Sequence, residues 1–170
     1  NWTDATLGRL AGNGGDWFEL VVLEDGLDIS GWTFEIWHLD AGLLEQSAAL
    51  TVVAGPSAID FLTAGTILTI SEDIADDTSF NPSADDWHIN LQANNNDDGA
   101  FFTAVSQQNF AIDNDDTQIA IFDADGAPVA LRTGEGTVPG VSVSSDEVFN
   151  KFLLGILCSI HLRQSSQLRV

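Results

Sequence analysis

Trp32-Thr33-Phe34-Glu35-Ile36-Trp37 is the stretch that decides the fold class. Trp32, Phe34 and Ile36 fall on one face and Thr33, Glu35 and Trp37 on the other, the two-residue period of a strand with one buried side. Upstream, Trp17-Phe18-Glu19-Leu20-Val21-Val22-Leu23 reads as another strand, entered through Gly12-Asn13-Gly14-Gly15 and closed by the turn signal Glu24-Asp25-Gly26. Between the two, Asp28 and Ser30 are suited to bonding local backbone N–H groups, and Gly31 permits a sharp turn ahead of Trp32. Glu19 sits in an otherwise apolar strand, so it either faces solvent or is buried against backbone or indole N–H groups. Downstream, strands are expected over residues 49–53, 66–71, 87–92, 100–105, 110–112, 118–122 and 129–132, separated by Asp, Asn, Gly and Pro clusters at 73–86 and 94–99. Asp123-Ala124-Asp125-Gly126 is the strongest hairpin signal. Seven to nine short strands at this spacing predict an all-β chain folded as an antiparallel β-sandwich.

Composition agrees. The chain has 170 residues, 44% of them hydrophobic, with five Trp and ten Phe, enough apolar material for a sizeable core and too much for an acidic disordered chain. Nineteen of the 26 acids are Asp, a residue of turns and caps rather than of helix interiors. The formal net charge of −21 repels a phosphate backbone and an anionic membrane face, so no direct nucleic-acid partner is expected. An Asp-rich, Lys-poor surface also suits a saline medium, where charge repulsion is screened. Cys158 is alone and forms no internal disulfide. The chain begins at Asn1 and contains no Met, as expected of a processed or excised piece. No apolar run reaches the length of a membrane span; the nearest, residues 152–162, is too short.

The composition breaks after Glu147. All 26 acids lie at or before that residue, whereas Lys151, Arg163 and Arg169 lie beyond it. The expected organisation is a β-sandwich domain over residues 12–133, a Gly/Ser-rich linker over 134–149 and a tail over 150–170 that does not share the homology of the domain. Three readings compete for the tail: a terminal helix packed on the sandwich, a hydrophobic-then-basic export or anchoring signal, or sequence foreign to the domain.

Four segments carry a family resemblance: Asp16-Trp17-Phe18-Glu19-Leu20; Leu27-Asp28-Ile29-Ser30-Gly31-Trp32-Thr33-Phe34; residues 61–70, with Ala64-Gly65 leading into a strand; and residues 110–126, a closing hairpin. In this order, over about residues 12–132, the chain resembles the lamin tail domain family. The resemblance implies an immunoglobulin-like sandwich. It also implies a module that sits beside nucleases, phosphoesterases or adhesion modules in an exported bacterial-type protein and contributes binding or positioning. Two departures stand out. Val21-Val22-Leu23 replaces the polar residues that often follow the Glu-Leu pair, and residues 94–103 are longer and more acidic than a minimal domain needs. Nothing resembles the coiled-coil rod of a nuclear lamin.

Chemistry-bearing patterns are sparse. Asp76 with Asp77 and Asp85 with Asp86 are the pairings chance produces among 26 acids on solvated loops. His38, His88 and His161 are dispersed and form no zinc spacing; His38 and His88 each follow a Trp and are expected at surface or edge positions. No nucleophile elbow or phosphate loop occurs. Calcium is the sharper hypothesis, with Asp113-Asn114-Asp115-Asp116, Asn95-Asn96-Asp97-Asp98, and Asp73 with Asp76 and Asp77 as candidates, against turn caps or solubilising charge. Trp2, Trp37 and Trp87 are candidates for an exposed aromatic platform, although Trp37 is better suited to a second apolar layer under a long loop.

The expected function is therefore non-enzymatic, with no catalytic, cofactor or metal residue assigned. It is a binding or positioning module of a larger exported or surface protein, located outside the cell or at its surface, acting through sandwich loops or a sheet edge on a protein or glycan ligand. The alternative is a calcium-dependent carbohydrate-binding sandwich.

Overall fold

The computed structural model describes residues 17–40, 43–53, 58–72, 74–93, 101–104, 110, 117–134, 148–153 and 156–163. Ten strands run in chain order: β1 Trp17–Val22, β2 Thr33–Asp40, β3 Leu43–Val52, β4 Ile67–Ser71, β5 His88–Gln92, β6 Phe102–Ala104, β7 Gln118–Phe122, β8 Pro128–Gly134, β9 Val148–Leu153 and β10 Ile156–Arg163. They form two five-stranded sheets, ordered β5-β4-β1-β10-β9 and β6-β3-β2-β7-β8. One 3-10 turn, Pro82–Ala84, precedes β5.

The alternation in the sequence sets the sandwich. Phe18, Leu20 and Val22 of β1 point inward and meet Phe34 and Ile36 of β2 from the other sheet. The Phe18 and Phe34 rings lie 5.8 Å apart, Phe18 stacks on Phe110 at 6.2 Å, and Phe34 meets Phe102 edge-on at 6.2 Å. Each such ring contact adds to the large area these side chains remove from water. Trp32 is buried beside them, as the strand pattern predicts.

Residues 23–32 carry the chain from the first sheet to the second. The Ser30 N–H donates to Asp28 Oδ1 at 2.8 Å, and the Gly31 N–H donates to the Val52 carbonyl at 2.8 Å, fixing the entry to β2. Gly31 takes φ +76°, and a Cβ there would stand 3.0 Å from Ala124 Cβ in the β7–β8 hairpin. The conformation therefore favours glycine, and the close approach of the hairpin adds to that preference. The hairpin closes as its Asp-Gly signal predicts: Asp123 Oδ1 accepts the Asp125 and Ala127 N–H groups at 3.0 and 2.8 Å.

Several expectations are corrected. The sandwich is not wholly antiparallel, because β4 and β5 pair in parallel, Ile67 opposite His88 through Ser71 opposite Gln92. The long crossover over residues 72–87 makes that possible. The strands number ten among the described residues rather than seven to nine. β3 begins at Leu43, six residues before the expected start, since pairing with β2 recruits Leu43, Leu44, Glu45 and Gln46 despite their weak strand pattern. In place of a terminal helix, residues 148–163 supply β9 and β10, and β10 pairs with β1 from Trp17 opposite Arg163 to Val22 opposite Ile156. Of the expected strand over 110–112, Phe110 is buried in the core, and 111–112 lie outside the described residues. The expected linker falls mostly there too.

Candidate functional site

The outward face of the first sheet carries a row of polar side chains that is not open. Glu19 of β1 lies opposite Thr69 of β4, and Thr69 opposite Asn90 of β5. Thr69 and Asn90 are buried, and so is Ser71. The crossover explains this. Asn90 and Asp77 exchange backbone hydrogen bonds at 2.9 Å, laying residues 74–77 along the free edge of β5. The Asn90 amide donates to the Ile74 and Ala75 carbonyls at 3.0 Å and accepts from Ser71 Oγ at 2.9 Å. Asp76 Oδ1 takes the Gln92 N–H at 2.7 Å, and Asp77 Oδ1 takes the Ser79 N–H at 3.0 Å and its hydroxyl. The Asp76–Asp77 pair thus seals a sheet edge that would otherwise template pairing with another chain.

Within this row Glu19 is half-buried rather than free in solvent, its side chain 22% exposed. Thr69 Oγ1 donates to Glu19 Oε2 at 3.4 Å, and His88 Nε2 stands 3.9 Å from the same oxygen. Burial pushes the Glu19 carboxyl above its ordinary range, and the Thr69 hydrogen bond opposes part of that rise. His88 belongs to this covered face, with its side chain 17% exposed. His38 lies near the end of β2 opposite Glu45, and His161 lies in β10 opposite Val148. His38 thus lies in the second sheet, and His88 and His161 lie in β5 and β10 of the first.

The second sheet presents Trp37 on its outer side, where the indole N–H donates to Glu35 Oε2 at 3.0 Å. Ala49 and Ala120, which flank Glu35 across the strands, are themselves buried. Trp37 itself is half-buried.

Trp87 differs. At 38% exposed it stands immediately before β5, its ring resting on Gly65, where an added Cβ would approach the indole to 3.2 Å. Gly65 has φ +92°, so glycine both makes the turn into β4 and leaves room for the ring. Phe80 meets Trp87 edge-on at 6.1 Å. The same end of the sandwich carries two apolar side chains that sequence reasoning missed, Phe61 at 81% exposed and Leu23 at 40%. The Gly26 N–H bonds the Leu62 carbonyl at 2.8 Å, the Gly65 N–H bonds the Val22 carbonyl at 2.8 Å, and Asp25 Oδ1 accepts the Ala64 N–H at 2.8 Å. These bonds lace the turn after β1 to the loop before β4 and hold Leu23, Phe61 and Trp87 on one end. The signal available was Leu23 lying directly against Glu24-Asp25-Gly26, an apolar residue already past the strand end.

Asp85 adopts φ +59° after the 3-10 turn, and the Asp86 N–H bonds the Asn81 carbonyl at 3.1 Å, so this pair shapes the approach to Trp87. Among the described residues no three His, Cys, Asp or Glu side chains are grouped to hold a metal ion. The calcium candidates 95–98 and 113–116, Asp73 and the aromatic candidate Trp2 lie outside the described residues. Among the described residues no helix is long and apolar enough to cross a membrane.

No protein-family model matches the chain, and neither a curated protein nor a solved structure matches it.

Proposed function

We propose that this β-sandwich is a non-catalytic binding or positioning module, of lamin-tail type, within a larger exported or surface protein, and that its ligand is held at the loop end bearing Leu23, Phe61 and Trp87. One observation carries the reading. Three of the four large hydrophobic side chains exposed among the described residues gather at this end, the fourth being Leu43 at the start of β3. Exposed apolar side chains gathered on loops mark interaction sites, and loops on a rigid scaffold are where recognition is placed. The carboxylates support the non-catalytic part: Asp76, Asp77, Asp25, Asp28 and Asp123 each accept a local backbone N–H and hold a turn or an edge.

The test is binding to paired peptide and glycan arrays by the full chain and by Phe61→Ser and Trp87→Ala variants. Ligands bound by the parent chain should be lost in both variants while near-ultraviolet circular dichroism retains its folded signature. Ligands retained equally by both variants would remove the loop end from the account.

A further inference from the structure

The apolar loop end is also uniformly acidic. Glu24, Asp25 and Asp28 are exposed in the turn after β1, Asp85 is exposed two residues before Trp87, and Asp125 is exposed in the neighbouring β7–β8 hairpin. Residues 23–32, 58–66, 80–87 and 123–127 contain no Lys or Arg. The carboxylates that hold turns here do so through neutral backbone donors, as Asp25 does with Ala64 and Asp28 with Ser30, so no positive charge offsets them in those contacts. An acidic or phosphate-bearing ligand is repelled from such a surface, and a purely apolar one leaves the rim unmatched. A ligand with alternating apolar and cationic side chains satisfies both, filling the surface around Phe61 and Leu23 and setting a cation over the Trp87 ring.

We infer that the partner of this end is a Lys- or Arg-bearing apolar segment of another protein. The inference rests on the reading that the loop end is the binding surface. Trp87 is prepared for the role, since Gly65 and Phe80 support its ring before any ligand arrives, so little side-chain freedom remains to be lost on binding.

The experiment is calorimetric titration of the full chain with two synthetic peptides that share their Leu and Phe positions and differ only in carrying Lys or Glu between them. A neutral oligosaccharide panel is run in parallel. The Lys peptide should bind and the Glu peptide should not, with affinity falling about tenfold or more as salt is raised until the Debye length is about 3 Å. Phe61→Ser, which changes no charge, should weaken the Lys peptide about tenfold, whereas Leu43→Ser on the exposed start of β3 should leave it unchanged. Equal binding of the Lys peptide by the parent and Phe61→Ser would show an unspecific attraction to negative charge and overturn the inference. Oligosaccharide binding that Phe61→Ser abolishes, without Lys-peptide binding, would overturn the basic segment and leave the loop-end reading standing. Binding of neither class would overturn both.

Discussion

Both faces of the first sheet carry buried side chains, and they are built on different principles. On β1, β4 and β5 the inner face is Phe18, Leu20, Val22, Leu68, Ile70, Ile89 and Leu91, all apolar and buried in the core shared with the second sheet. The outer face carries a polar row of Glu19, Thr69, Ser71 and Asn90, covered in part by the chain's own crossover, with the half-buried Trp17, Val21 and Ile67 beside it. Apolar burial is non-directional and tolerates adjustment, whereas buried polar groups are stable only while every partner is in place. The difference explains why one sheet carries its core and its edge protection on opposite sides without either depending on the same residues.

The largest effect should come from the core. Phe34→Ala removes a ring that touches Phe18 and Phe102, and should destabilise the fold by roughly 3 to 5 kcal/mol in urea denaturation. Asn90→Ala removes the amide's bonds to the Ile74 and Ala75 carbonyls and leaves Ser71 Oγ only its longer bond to the Ile74 carbonyl at 3.4 Å, and should cost about 1 to 3 kcal/mol. Its distinguishing sign is early amide exchange at residues 74–77 while β2 stays protected. A loss confined to Phe34→Ala, with Asn90→Ala neutral, would collapse the comparison and return the outer face to ordinary surface. At the junction of the two sheets, Gly31→Ala should cost about 1 to 2 kcal/mol through its positive φ, with the Ala124 contact adding to this.

A pH series sharpens the comparison further. The folded carboxyl of Glu19 titrates above its unfolded value, so the neutral form is the better accommodated in the native state. Its favourable contribution is fully present below the unfolded value of about 4.5 and is lost as pH rises through the raised folded value. Stability of the parent relative to Glu19→Gln should therefore fall across that window and level off above it, as read from paired thermal melts. A flat difference would place Glu19 in solvent. Phe61→Ser should give the smallest change of all, within about 0.5 kcal/mol, because its side chain contributes little to the fold.

The same contrast decides what was legible in the sequence. Clean alternation identifies β2, an apolar run bounded by turn signals identifies β1, and the Asp-Gly pair identifies the hairpin, because each depends on neighbours along the chain. The parallel β4–β5 pair and the buried Thr69, Ser71 and Asn90 were not legible, because a polar residue on a strand reads as solvent-facing until a distant segment is known to cover it. The first half of β3 and the strands β9 and β10 likewise owe their form to pairing with β2 and β1. At the candidate site Trp87 was legible as an exposed aromatic. Phe61 was read as the approach to a buried strand, and only the bonds lacing residues 23–27 to 62–65 turn it outward.

The most direct test of the loop end as the binding surface is a titration of the isotope-labelled full chain with the Lys-bearing apolar peptide, followed by amide and indole resonances. Shifts should concentrate on the Trp87 indole N–H and on residues 23–26, 60–65 and 85–87, leaving Glu19, Thr69 and Asn90 unmoved. Shifts spread evenly over acidic surface residues, or centred on the outer face of either sheet, would contradict it.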